Sequence, residues 1–351
     1  MFEKWIAEGR FLWLRGLWLT LFGSKSPGIR GRLGWLHRPL RGRTLLASSI
    51  VFGILFGFCA FIGIRDGFIP TSAPVVVKKQ EPGATFTMAL RDAIRAEDER
   101  GWMPNDILWP TVLLFNYQNF QLGELDVWRR VTYQLREHLS RVRTTDAING
   151  HLDAANAALN NAPSKWWFPS FESKLQAASA ELDAYARGLP ERRDFSMRAD
   201  NLGELIGNFA SAMGNTQNQL AGNLPPHTSA GKVPAEGRMV SGEPRKELYG
   251  EGVGWFRSSA TFYHAKGQAY AILIMMESIR IEFKDVLEKK NVLDLVDDSI
   301  FWLKEAISLQ PWIVLDSGRA SIFANHLDNF AAPFSQARAK LNSLADVLRN
   351  G

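Results

Sequence analysis

Residues 168–189 read Phe168-Pro-Ser-Phe-Glu-Ser-Lys-Leu-Gln-Ala-Ala-Ser-Ala-Glu-Leu-Asp-Ala-Tyr-Ala-Arg-Gly-Leu189. Phe168, Phe171, Leu175, Ala178, Leu182, Tyr185 and Leu189 step by three and four residues, a heptad seam along one helix face. The habit recurs outward in both directions. Trp128, Val131, Leu135, Leu139 and Val142 form one stripe, and Val292, Val296, Leu303 and Ile307 another. Phe334, Ala337, Leu341, Leu344 and Leu348 close the chain in the same way. No run alternates as a strand would. The expected class is all-α: a single N-terminal transmembrane helix followed by an extracytoplasmic multi-helix bundle.

The transmembrane helix is read from Thr44–Ile64, 21 residues without a charge. At about 1.5 Å per residue such a helix spans about 30 Å, a bilayer core. Residues 1–43 carry nine basic and two acidic residues, a net +7, so the remainder sums to −2 against the total of +5. The positive-inside bias puts residues 1–43 in the cytoplasm and the C-terminal domain across the membrane, in the periplasm of a bacterial inner-membrane protein. A cleaved signal peptide would need shorter basic and apolar regions. Ser49, Gly53 and Gly57 recur every fourth residue, a small-residue face suited to close helix contact and a homodimer.

Within 1–43, Trp5, Trp13 and Trp18 among apolar residues, followed by Arg30 and Arg32, suit an amphipathic segment lying against lipid headgroups. Residues 65–84 contain Pro70, Pro74 and Pro82 and are expected to form a stalk. The helical domain is expected at 85–351, interrupted at 221–250 by a Pro/Gly-rich stretch expected to be a flexible loop. The helix after it contains Ala269-Tyr-Ala-Ile-Leu-Ile-Met-Met276, too short to cross a membrane and expected to be buried.

Chemical motifs are sparse. The single cysteine, Cys59, excludes an intrachain disulfide and a cysteine zinc site. The six histidines lack ligand spacing, and no nucleophile elbow, phosphate loop or dinucleotide fingerprint occurs. Asp294, Asp297 and Asp298 read as a solvated acidic face, and His264 as a satisfied bundle histidine. The basic pI belongs to the tail, which removes the footprint of nucleic-acid binding from the main domain. No cofactor, metal or catalytic residue is expected. Trp166-Trp167-Phe168-Pro169 stands at a helix entrance, where aromatic rings bind sugars, seat domains on membranes or pack a loop.

Gly101-Trp-Met-Pro-Asn-Asp106, Asn119-Phe-Gln-Leu-Gly123, Asn325-His-Leu327 and Ala337-Arg338-x-Lys340-Leu341 resemble an uncharacterised proteobacterial family of single-pass inner-membrane proteins, a domain of unknown function. Around Phe115 the acidic residue of the family pattern is missing, which implies a divergent member. The resemblance implies inner-membrane anchoring and no known catalysis. It directs attention to Trp102, Pro104, Asn105, Asp106, Asn119 and Gln121 as an interaction or structural motif. Asn105 and Asp106 read as helix caps, Asn119 and Gln121 as polar groups at a helix junction. The expected role is a membrane-anchored scaffold or interaction protein of the cell envelope, not an enzyme, with lipid and a protein as partners. The alternatives are an accessory subunit of a larger membrane complex and a cell-wall enzyme, the latter requiring two converging carboxylates with a shifted pKa.

Overall fold

The computed structural model describes residues 47–58, 69–106, 115–141, 143, 146–192, 194–223, 255–309 and 326–350. The interfacial residues Trp5, Trp13, Trp18, Arg30 and Arg32 and most of the expected loop at 221–250 lie outside the described residues. The chain divides into two compact units, Met1–Cys59 and Ala60–Gly351.

The described part of the first unit is helix α1, residues 47–58. Ile50, Val51, Phe52, Ile54, Leu55 and Phe56 are 54–71% exposed. Gly53 and Gly57 face open space. Among the described residues no helix is long and apolar enough to cross a membrane. Twelve residues of the expected span are described, and the rest, 44–46 and 59–64, lie outside.

The second unit is helical among its described residues. Its elements are α2 (Ala84–Arg100), α3 (Phe115–Gln134, continued by a π-helical turn Leu135–Leu139), α4 (Gly150–Leu159), α5 (Phe171–Arg192), α6 (Ala199–Asn223), α7 (Trp255–Glu282), α8 (Lys284–Lys289), α9 (Leu293–Ser308) and α10 (His326–Asn350). The stripes fold as their spacing predicts, and Val142 lies outside the described residues. Phe171, Leu175, Ala178, Leu182, Tyr185 and Leu189 are all buried. Phe168 departs from the seam, because Pro169 disfavours helix at the residue before it and α5 begins only at Phe171.

Helix α7 runs through the centre, with Ala269–Met276 buried all round. It packs most extensively on α3, while α10 joins α6 to α9, and α5 joins α2 to α4. At the α3–α7 crossing the backbones meet. A Cβ on Gly123 would collide with the carbonyl oxygen of His264, and one on Gly267 with that of Phe120. Glu282, at the end of α7, accepts from Gly83 N at 2.8 Å and Phe86 N at 3.3 Å, so one carboxylate caps the start of α2. From Ile69 onward the expected stalk is an extended strap lying on the bundle. Ile69 is buried, Ala73 and Val76 pack on the core, and Val75 points to solvent. Lys79 N donates to Thr85 Oγ1 at 3.0 Å.

Candidate functional site

Helix α2 ends at Gly101, whose φ of 93° turns the chain out of the helix. The turn that follows is held by Gln121 of α3. Gln121 Oε1 accepts from Met103 N at 2.9 Å, and Nε2 donates to Gly101 O at 2.9 Å and to Glu97 Oε2 at 3.0 Å. Glu97 also accepts from the Tyr117 hydroxyl at 2.8 Å and pairs with Arg100. A buried amide therefore links the 101–106 turn to a buried carboxylate.

Glu124, one turn along α3 from Gln121, is fully buried. Neither of its oxygens has a hydrogen-bond partner among the described residues. Burial first, and Glu97 second, push its pKa well above the carboxylate range. Burial and then the nearby carboxylates also raise the phenols of Tyr117 and Tyr270. Burial opposes the charge on Arg100, and Glu97 more than offsets it. Glu97, Arg100 and Tyr270 line a groove of about 740 Å³ between α2 and the strap. Chemically this is a buried carboxyl group of raised pKa beside a tyrosine-flanked ion pair. Among the described residues no three metal-ligating side chains gather.

The same turn supports a loop between α4 and α5. Trp102 is buried, packs on Phe171 with ring centroids 4.9 Å apart, and donates from Nε1 to Pro163 O at 2.9 Å. Asn105 Nδ2 donates to Glu172 Oε2 at 2.8 Å and to Lys165 O at 3.3 Å. Arg129 of α3 donates to Leu159 O and Asn161 O, both at 2.8 Å. Phe171 N closes the loop onto Lys165 O at 2.9 Å. At the tip, Trp166, Trp167 and Phe168 are 52%, 65% and 89% exposed, each ring edge-on to the next.

The structure thus gathers Trp102, Asn105 and Gln121 into one framework. Asn105 clamps the loop with its side chain where a helix cap was expected. Pro104 sits in the turn, and Asp106 N closes it onto Met103 O at 3.0 Å. Asn119 stands apart, donating to Phe115 O one turn back at 2.7 Å. Ser49, Gly53 and Gly57 belong to α1. Asp297 pairs with Arg280 and Asp298 with Lys340 at the surface. His264 Nδ1 is buried with no partner among the described residues, and burial lowers its pKa. That differs from a satisfied histidine.

Three buried ionisable groups escaped the sequence reading, although a signal existed. Glu97 follows Phe86, Leu90 and Ala93 on one seam. Glu124 and Gln121 stand between Tyr117 and Trp128, and Lys266 between Phe262 and Ala269. A polar residue at a seam position is a buried polar residue. Lys266, fully buried, donates to Leu309 O at 2.7 Å at the end of α9, and burial lowers its pKa to about 8.

Residues 75–351 match the family described as an uncharacterized protein conserved in bacteria (DUF2333). No curated protein and no solved structure matches the chain.

Proposed function

The chain belongs to an uncharacterised protein family conserved in bacteria, and from that premise we propose that it is a membrane-anchored scaffold of the bacterial cell envelope. Thr44–Ile64 holds it in the inner membrane with the N-terminus cytoplasmic and the bundle periplasmic, and the bundle works by binding a protein partner, not by catalysis. The observation that carries this reading is α1. Six large apolar side chains more than half exposed on twelve residues of helix are a surface that water disfavours and lipid accepts. The charge asymmetry of +7 before the span supports the orientation.

Affinity purification of the full chain from membranes in a gentle detergent tests the role. A scaffold emerges as a homodimer or with a stoichiometric envelope protein. Recovery as one fixed component of a large membrane complex favours the accessory-subunit reading. The enzyme reading draws support from Glu97 and Glu124, a carboxylate pair beside a groove with one member's pKa raised. The lack of any open face on Glu124 weighs against it. Glu124→Gln-sensitive release of soluble fragments from peptidoglycan by the purified protein would overturn the scaffold reading.

A further inference from the structure

The aromatic tip at Trp166–Phe168 is the largest unexplained cost on the described surface. Burying such a ring stabilises a fold, and three are left in water side by side. The loop is also fastened. Trp102, Asn105 and Arg129 spend their donors on its backbone carbonyls and on Glu172. This framework fixes the three rings outward, and a loop needing only to pack would fold them in.

The position of the loop narrows the occupant. The strap is tied to the first turn of α2 through Lys79 and Thr85, and it lines one groove with α2 as far as Arg100. Ile69 at the start of the strap lines that groove together with Arg100 at the end of α2. That end carries the 101–106 turn, which holds the aromatic loop. Ile69, five residues after the apolar run in sequence, thus shares a groove with the helix end whose turn holds Trp166, Trp167 and Phe168. The tip's chemistry agrees: indoles with a polar N–H beside an apolar ring prefer the headgroup boundary, and exposed Lys165 suits lipid phosphate. A sugar site would want polar side chains free around the rings, and the ones at this loop's base are committed to holding it.

We propose that Trp166, Trp167 and Phe168 insert into the headgroup region of a bilayer as a second membrane contact. The inference rests on the anchor reading above. It assigns the 101–106 turn a purpose, which is to hold that wedge rigid.

The test uses the full chain with Cys59→Ser and a single new cysteine, Phe168→Cys or, as a surface reference on α10, Ser343→Cys. Each carries an environment-sensitive fluorophore in phosphatidylethanolamine–phosphatidylglycerol vesicles. Lipids spin-labelled high on the acyl chain should quench most of the signal at 168 and leave that at 343 unchanged. Adding Asn105→Ala, which loosens the loop, should reduce the quenching at 168. Flotation with the vesicles at alkaline pH separates the two readings. Protein that floats while 168 reports water overturns the wedge alone, and protein that fails to float overturns the anchor. Quenching at 168 equal to that at 343 also overturns the wedge. So does a probe at 168 shielded only when an envelope protein or soluble glycan is added.

Discussion

Two glycine pairs in this molecule have opposite surroundings. Gly53 and Gly57 lie four apart on α1 with nothing opposite them. Gly123 and Gly267 lie on different helices, and each receives the other helix's carbonyl where a Cβ would stand. The first pair has the familiar spacing for helix contact, and the second has none that a single helix could show. The difference teaches that a glycine's role is set by what crosses it. The crossing has buried ionisable neighbours in sequence: Glu124 follows Gly123 and Lys266 precedes Gly267.

The contrast breaks first at the crossing itself. Gly267→Val forces a branched side chain against the Phe120 backbone, which cannot yield as a side chain would. The expected loss is at least about 3 kcal/mol or failure to fold, read by thermal melts followed by circular dichroism. A variant that melts like the wild type would mean the helices can separate there.

Glu124→Gln sharpens the same point through its pH dependence. The folded protein holds the Glu124 proton at pH values where the unfolded chain has released it. Stability from this group therefore falls as pH rises above the ordinary carboxylate range of about 4.5. Glutamine keeps the shape and removes the titration. Denaturant melts should show the stability of the variant relative to wild type rising from pH 5 to pH 8. Equal gaps at both pH values would show that Glu124 is not the titrating group.

Lys266 runs the other way. Its pKa falls from 10.5 to about 8 on folding, so between those values the unfolded state binds more protons and stability rises with pH. The stability of wild type minus that of Lys266→Met should climb by roughly 2–3 kcal/mol over that window. A flat difference would place Lys266 in contact with water.

The smallest effect belongs to α1. Gly53→Ile should leave the melting of the second unit within about 0.5 kcal/mol of wild type, because that glycine meets nothing there. Its consequence, if the face pairs with a second copy, is the loss of a crosslink through Cys59. A fall in bundle stability would show that α1 packs on the bundle.

These expectations mark how far the residues alone could be read. Periodicity locates the seams because burial follows the 3.6-residue turn, and Leu341, Leu344 and Leu348 could sit nowhere else. Phe168 shows the limit: it keeps the period, but Pro169 removes it from the helix. Gln121 was legible as a junction residue, being polar amid apolar neighbours. Asn105 was legible as polar and misassigned, since its partners Lys165 and Glu172 are sixty residues away in sequence. The crossing at Gly123 and Gly267 could not be read at all, because it depends on which two helices meet.

The central claim is an anchor at Thr44–Ile64 with the bundle on the far side, and protease accessibility tests it most directly. Spheroplasts expressing the full chain with distinguishable tags at the two ends would be treated with protease from outside. The account predicts that the C-terminal tag is lost and the N-terminal tag survives on a membrane-bound fragment resistant to alkaline extraction. A C-terminal tag that survives until the membrane is permeabilised, or a chain released by alkali, would contradict it.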